Sequence, residues 1–284
     1  MLLNPLTFHA PKTVEEAIEL YSTLGEVRLL AGGTFLLNSL KLLKKRGIKT
    51  PQHVISLRKI SVLQGVKVTG DTLTIGAMTV INDLFSSPHL TDNFAILRTV
   101  CRNISTNPIR NMATVGGNLT SRYTWTEMGA PLIALEAVMH FCGTNHTTES
   151  ITVEDFFKNF AKTEKILTHI TIRRDPAAAL AYQRVKKLSD VDVPLLAVCI
   201  RTHFNDGCFT RTRASINCTT SFAKRDLVLE EFLNGKKTAN GIAQEALAHL
   251  DTSIYDTRSD DYKKSMFRIS IKKAIEDLTR RGQT

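Results

Sequence analysis

Apolar residues recur at helical spacing close to the start of the chain. Val14, Ala17, Ile18 and Tyr21 fall on one helical face, and Thr13-Val14-Glu15-Glu16 has the spacing of a capping box, so a helix is predicted from Thr13 to about Leu24. Val27 to Ala31 reads as a short buried strand, broken by Gly32-Gly33-Thr34. Helical spacing resumes from Phe35 to Leu43 through Leu36, Leu40 and Leu43, with a stop near Gly47. This opening unit is strand, glycine turn, helix.

Further on, Val66-Lys67-Val68-Thr69 and Leu73-Thr74-Ile75 alternate around Gly70-Asp71, which predicts a hairpin. Phe94, Leu97 and Cys101 support a helix from about Asp92 to Arg102, and Asn107-Pro108 prevents its continuation. A second glycine turn, Gly116-Gly117-Asn118, precedes the apolar run Leu132 to Val138. Thr152 is placed to cap a helix containing Phe156 and Phe157, and Ile166, Thr168, Ile170 and Thr171 suit a strand. Arg173-Arg174-Asp175-Pro176 reads as a boundary. Beyond it, strands at Leu195 to Arg201 and Ala214 to Cys218 lead to helical patterns around Leu227 to Phe232, Ile242 to Leu250 and Tyr262 to Leu278. The fold class expected is α+β, with a smaller C-terminal α+β domain built on an antiparallel sheet.

Composition narrows the function classes. With 284 residues, 43% hydrophobic and 23% charged, the chain is long enough for two cores and is neither disordered nor fibrous. The N-terminal residues lack a leader pattern and no run approaches the roughly 20 apolar residues of a membrane span, so a cytoplasmic location without membrane attachment is expected. The formal charge of +10 comes from Lys and Arg spread along the chain, which argues against nucleic acid as a partner. The tightest basic group, Lys41, Lys44, Lys45 and Arg46, falls where a helix should end and cations favour its dipole. Cys101, Cys142, Cys199, Cys208 and Cys218 contain no Cys-x-x-Cys pair, and the histidines show no ligand spacing. No metal site is expected; the cysteines read as small buried hydrophobes, and any iron–sulfur centre would belong to a partner.

The candidate chemistry lies in the two Gly-Gly turns. Ala31-Gly32-Gly33-Thr34 and Thr114-Val115-Gly116-Gly117-Asn118 each follow an apolar run, and each is expected to expose consecutive backbone N–H groups, the feature a pyrophosphate needs. Thr34, Thr114 and Asn118 add side-chain donors. Neither turn matches G-x-G-x-x-G, so residue chemistry alone reaches a dinucleotide or diphosphate site.

Longer segments carry a resemblance. Leu30-Ala31-Gly32-Gly33-Thr34 and Ile109-Arg110-Asn111-Met112-Ala113-Thr114-Val115-Gly116-Gly117-Asn118-Leu119 resemble the two FAD loops of the flavin subunits of the xanthine dehydrogenase and carbon monoxide dehydrogenase family of molybdenum hydroxylases. Residues 73–79, 132–137, 164–170 and 258–264 are similar to other family segments, so nearly the whole chain is covered. The resemblance implies a two-lobed FAD-binding domain of vanillyl-alcohol oxidase (PCMH) type over residues 1–175, with lobes of about 1–55 and 56–175. A C-terminal domain of carbon monoxide dehydrogenase flavoprotein type would follow over 176–284.

It also implies residue roles. Ala31 to Thr34 and Thr114 to Asn118 would hold the FAD pyrophosphate, with Leu30, Gly32, Gly33, Gly116 and Gly117 in those loops. Ile109 and Ala113 would line the flavin, and Ile104 falls where some members place an aromatic ring against it. Leu167 matches a residue packing on the cofactor, and Arg184 a position that often carries a lysine near the flavin's polar edge. Asp192 also matches a family position. Two departures stand out. Phe35 replaces the usual Asp after Gly-Gly-Thr, and Ser121 to Glu127 replaces a Ser-Pro-x-x-Asp segment, with Glu127 aligned to its Asp; both imply weaker FAD contact. Arg122, Tyr123 and Trp125 would either stack on the cofactor or serve a subunit interface.

The implied function is electron transfer within a heterotrimer: FAD takes electrons from a small iron–sulfur subunit and passes them to NAD or another acceptor, while a large molybdenum-cofactor subunit acts on the substrate. A self-sufficient FAD-dependent oxidase or reductase and a flavin-poor structural subunit are the alternatives.

Overall fold

The structure is a computed structural model that describes residues 3–121, 123–159, 164–186, 193–219, 221–255 and 261–283. Arg122, Asp192 and residues 258–260, singled out above, lie outside them. Among the described residues, twelve strands form three sheets. The first sheet is parallel, with β1 (Thr7–His9) and β2 (Val27–Leu30) flanking β3 (His53–Ser56). The second is antiparallel, in the order β4 (Val66–Thr69), β5 (Thr72–Gly76), β8 (Ile166–Arg173), β6 (Val138–Cys142), β7 (Thr148–Thr152). The third, also antiparallel, runs β12 (Lys224–Arg225), β11 (Cys208–Asn217), β10 (Pro194–Asn205), β9 (Ala179–Lys186).

The helices are α1 (Val14–Thr23), α2 (Leu36–Lys45), α3 (Ile81–Ser86), α4 (Ala95–Asn103), α5 (Asn107–Arg110), α6 (Val115–Thr120), α7 (Gly129–Ala134), α8 (Val153–Lys158), α9 (Leu227–Leu233), α10 (Ile242–Glu245) and α11 (Asp261–Gly282). The expected caps are in place. Thr13 accepts from the Glu16 N–H, Glu16 in turn accepts from the Lys12 N–H at 2.8 Å, and Thr152 accepts from the Asp155 N–H at 3.0 Å. Pro108 lies in the first turn of α5, where its missing N–H costs nothing, so Asn107-Pro108 both separates α5 from α4 and opens a new helical turn.

Three buried clusters hold these layers. Val14, Ala17 and Ile18 of α1 pack on Val27 and Ile55 under the first sheet, and Ile166 of β8 joins them. The largest cluster fills the space between the second sheet and α3, α4, α7 and α8. In the third sheet Leu196, Val198 and Ile200 alternate onto a cluster with Phe267, Ile271, Ala274, Ile275 and Leu278 of α11, while Cys199 on the opposite face joins the largest cluster beside α7. The third sheet is therefore buried on both faces, sandwiched between α7 and α11. Charged groups tie the same interface. Arg201 donates to Glu136 and Asp175, and Arg213 pairs with Glu136 at 3.3 Å and Glu154 at 2.8 Å. Of the cysteines, Cys101, Cys199 and Cys218 are buried as expected, whereas Cys142 and Cys208 are half-buried. No helix among the described residues is long and apolar enough to cross a membrane.

Candidate functional site

The two glycine turns meet. Gly32 lies so close to the second loop that a Cβ there would sit 2.0 Å from the Met112 carbonyl oxygen and 2.9 Å from the Ala113 Cα. No side chain fits that approach. Gly33 adopts φ +74°, the left-handed region, as the chain leaves β2 and turns into α2. On the other side of the junction, the position of a Cβ on Gly117 is 3.4 Å from the Ala31 Cβ.

Their hydrogen bonding differs, which corrects the expectation that both expose N–H groups. In the second turn the Val115 N–H donates to the Thr79 carbonyl (3.0 Å) and the Gly116 N–H to the Ala77 carbonyl (2.8 Å). The Gly117 N–H donates to Thr114 Oγ1 (3.1 Å) and the Asn118 N–H to the Thr114 carbonyl (2.9 Å). Thr114 is buried, and its hydroxyl serves as the N-cap of α6. In the first turn no backbone bond among the described residues takes the N–H of Gly32, Gly33 or Thr34, and these residues are half-buried. A half-buried donor in that state calls for water or a ligand.

Both turns line one cleft of about 820 Å³, within the few-hundred to roughly 1,000 Å³ typical of cofactor sites. Of the residues expected at a site, Ala31, Gly32, Gly33, Thr34, Phe35, Ile104, Ile109, Ala113, Thr114, Gly116, Gly117, Asn118, Glu127 and Leu167 line it. Leu30 and Arg184 do not. Leu30, the last residue of β2, points its side chain toward Gly33, and its neighbour Leu29 faces the cleft instead. Arg184, on β9, donates through Nε to Glu127 Oε1 at 2.5 Å, with both side chains almost fully buried. It stands behind the wall. Burial pushes the Glu127 carboxyl up to about 7, although Arg184 opposes the shift.

Other walls were only partly foreseen. Ile166 and Leu167 at the start of β8 form one side, and Val193 with Pro194 at the start of β10 brings in the third sheet. Ile104 and Ser105 are held by Arg110, whose guanidinium donates to both carbonyls, at 2.9 and 3.1 Å. Leu29, Leu57 and Met78 enter the lining without any local signal, because their neighbours across the cleft come from distant segments. Phe35, Tyr123 and Trp125 form a cluster, with centroids 4.6 Å (Phe35–Tyr123), 4.3 Å (Tyr123–Trp125) and 6.4 Å (Phe35–Trp125) apart.

A cleft crossed by a glycine cradle of free N–H groups, with apolar walls on both sides, suits a diphosphate joined to flat ring systems. The family comparison decides which. Residues 4–174 match the family described as the FAD binding domain in molybdopterin dehydrogenase. The chain is an FAD-binding medium subunit of the molybdenum hydroxylase family. It is 31% identical to the carbon monoxide dehydrogenase medium chain of Hydrogenophaga pseudoflava, over 94% of this chain and 95% of that one. It is 24% identical to the nicotinate dehydrogenase FAD-subunit of Eubacterium barkeri, covering 97% of each. Its fold superimposes with a TM-score of 0.88 on carbon monoxide dehydrogenase from H. pseudoflava lacking the Mo-pyranopterin moiety of its cofactor, at 28% identity and 97% of both chains. Like these relatives the chain is an oxidoreductase subunit, and its cofactor is FAD.

Proposed function

We propose that this medium subunit is an electron-transfer station, receiving electrons from an iron–sulfur small subunit and delivering them through FAD to an external acceptor such as NAD. A large molybdenum-cofactor subunit would complete the heterotrimer in the cytoplasm. The observation that carries this reading is the junction of the two glycine turns across a single cleft, one turn with unspent N–H groups. The same reading places a two-lobed FAD domain of PCMH type over residues 1–175 and a C-terminal domain over 176–284, with Val193 and Pro194 closing the cleft from the C-terminal side.

When bound, FAD supplies reversible storage of two electrons that can leave singly or as a pair. The chain's own residues bind and orient it. The N–H groups of Gly32, Gly33 and Thr34 neutralise the pyrophosphate without a lysine, and the Asn118 side chain adds an amide donor while its Oδ1 accepts from the Met128 N–H at 3.4 Å. Ile104, Ile109, Ala113 and Leu167 offer apolar contact that excludes water. Electron transfer between centres requires no proton donor from the chain, and the Glu127 carboxyl that lines the cleft is held by Arg184.

The test uses the complex purified with its partner subunits. Anaerobic reduction should bleach the flavin band through the partner, and removing FAD should abolish acceptor reduction while leaving the iron–sulfur signals reducible. Acceptor reduction that persists in the FAD-free complex would overturn the proposal.

A further inference from the structure

The two places where this chain departs from the family pattern, Phe35 after the first glycine turn and the segment 121–127, touch each other. Phe35 packs against Tyr123 and Tyr123 against Trp125 in tilted arrangements, with interplanar angles of 41° and 35°, so the three rings form one contiguous aromatic cluster. All three line the same cleft as Gly33 and Thr34.

The rings keep accessible surface in the cleft: Phe35 is 44% exposed, and Tyr123 and Trp125 are half-buried. The backbone beneath Tyr123 and Trp125 is anchored from the third sheet. The Cys218 N–H donates to the Thr124 carbonyl at 3.0 Å, and Asn217 Nδ2 to the Thr126 carbonyl at 2.9 Å. Thr126 Oγ1 donates to the Tyr123 carbonyl at 2.8 Å, and the Tyr123 hydroxyl lies 3.3 Å from Ser39 Oγ on α2. Rings fixed in this way lose little entropy when a flat ligand is laid on them.

We infer that Phe35, Tyr123 and Trp125 form a stacking wall for one of the two planar heteroaromatic ring systems of FAD, replacing polar contacts with π-contacts. The inference rests on the reading that the first glycine turn holds the pyrophosphate. Phe35 is bonded directly to Thr34, so the wall begins one residue beyond that cradle. In FAD a flat ring lies on either side of the pyrophosphate, adenine at one end and isoalloxazine at the other, and the wall is matched to the chemistry both share. Aromatic side chains recognise such rings through their faces, and removing one weakens binding by an appreciable factor.

The experiment is calorimetric titration of the deflavinated full chain with FAD, ADP and FMN, in the wild type and in Phe35→Ala, Trp125→Ala and Trp125→Phe. The FAD affinity is expected to fall about tenfold in each alanine variant, equivalent to about 1.4 kcal/mol, and to be largely kept in Trp125→Phe. The thermal midpoint of each deflavinated variant reports folding separately. A parallel loss for ADP assigns the wall to adenine, and a parallel loss for FMN assigns it to the isoalloxazine. Unchanged FAD affinity in folded alanine variants overturns the inference. Failure of the wild type to bind any of the three would instead sink the cleft assignment itself.

Discussion

Two turns with the same Gly-Gly core do opposite work. Around Gly116-Gly117 every N–H from Val115 to Asn118 is spent inside the protein, on the carbonyls of Ala77, Thr79 and Thr114 and on the Thr114 hydroxyl. Around Gly32-Gly33 the N–H groups reach no described backbone acceptor. The second turn is a clamp that positions the floor of the cleft, and the first is the cradle proposed for the phosphates. A dipeptide shared by two loops is thus no guide to which loop meets the ligand, since that depends on what the rest of the fold places beside each N–H.

Separating the turns should have the largest effect. Gly32→Ala forces a Cβ into the Met112 carbonyl, and the loops have to part; a stability loss of about 3 kcal/mol is expected together with loss of FAD, measured by denaturant unfolding and by flavin retained after gel filtration. A variant that keeps both would show the contact between the turns to be dispensable. The clamp is tested more gently by Thr114→Ala, which removes the N-cap of α6 and leaves the Gly117 N–H without its acceptor. About 1 kcal/mol of stability should be lost, with FAD affinity changing less than stability, because the cradle is the other turn. The reverse ranking would exchange the roles assigned to the two.

The subtlest effect concerns Glu127, at the end of the segment that Asn118 steadies. Its raised pKa, near 7 against an ordinary 4.5, means that the folded chain binds a proton the unfolded chain has released between those values. Stability from this group therefore falls as pH rises through that window. Glu127→Gln stays neutral, so the stability advantage of the wild type over the variant should shrink between about pH 5 and pH 7.5. Parallel stability curves would place the proton elsewhere.

Much of this architecture was legible from local pattern. The capping-box helix, the Gly70-Asp71 hairpin, the strand after Ile166 and the long C-terminal helix all have one buried and one polar face, which the spacing of apolar residues reports directly. β6 and β9 were not foreseen. Val138-Met139-His140-Phe141-Cys142 is apolar apart from His140 although its burial alternates, and Ala179 to Lys186, the edge strand beside β10, has no regular apolar–polar alternation, so neither shows the period of two in its sequence. Most of the expected site residues do converge on the cleft. Leu29, Leu57 and Met78 were invisible, since nothing near them in the chain distinguishes a cleft wall from a core.

By itself the sequence determined the strand–turn–helix units, the two glycine loops and, through the long second loop, the resemblance to a flavin family, because those features depend on residues a few positions apart. Tertiary structure alone decided which turn keeps its N–H groups, that Arg184 stands behind Glu127, and that Phe35 meets Tyr123 and Trp125. Each of these depends on groups brought together across sheets and loops by burial of apolar surface, a non-directional force whose partners are not encoded in local spacing.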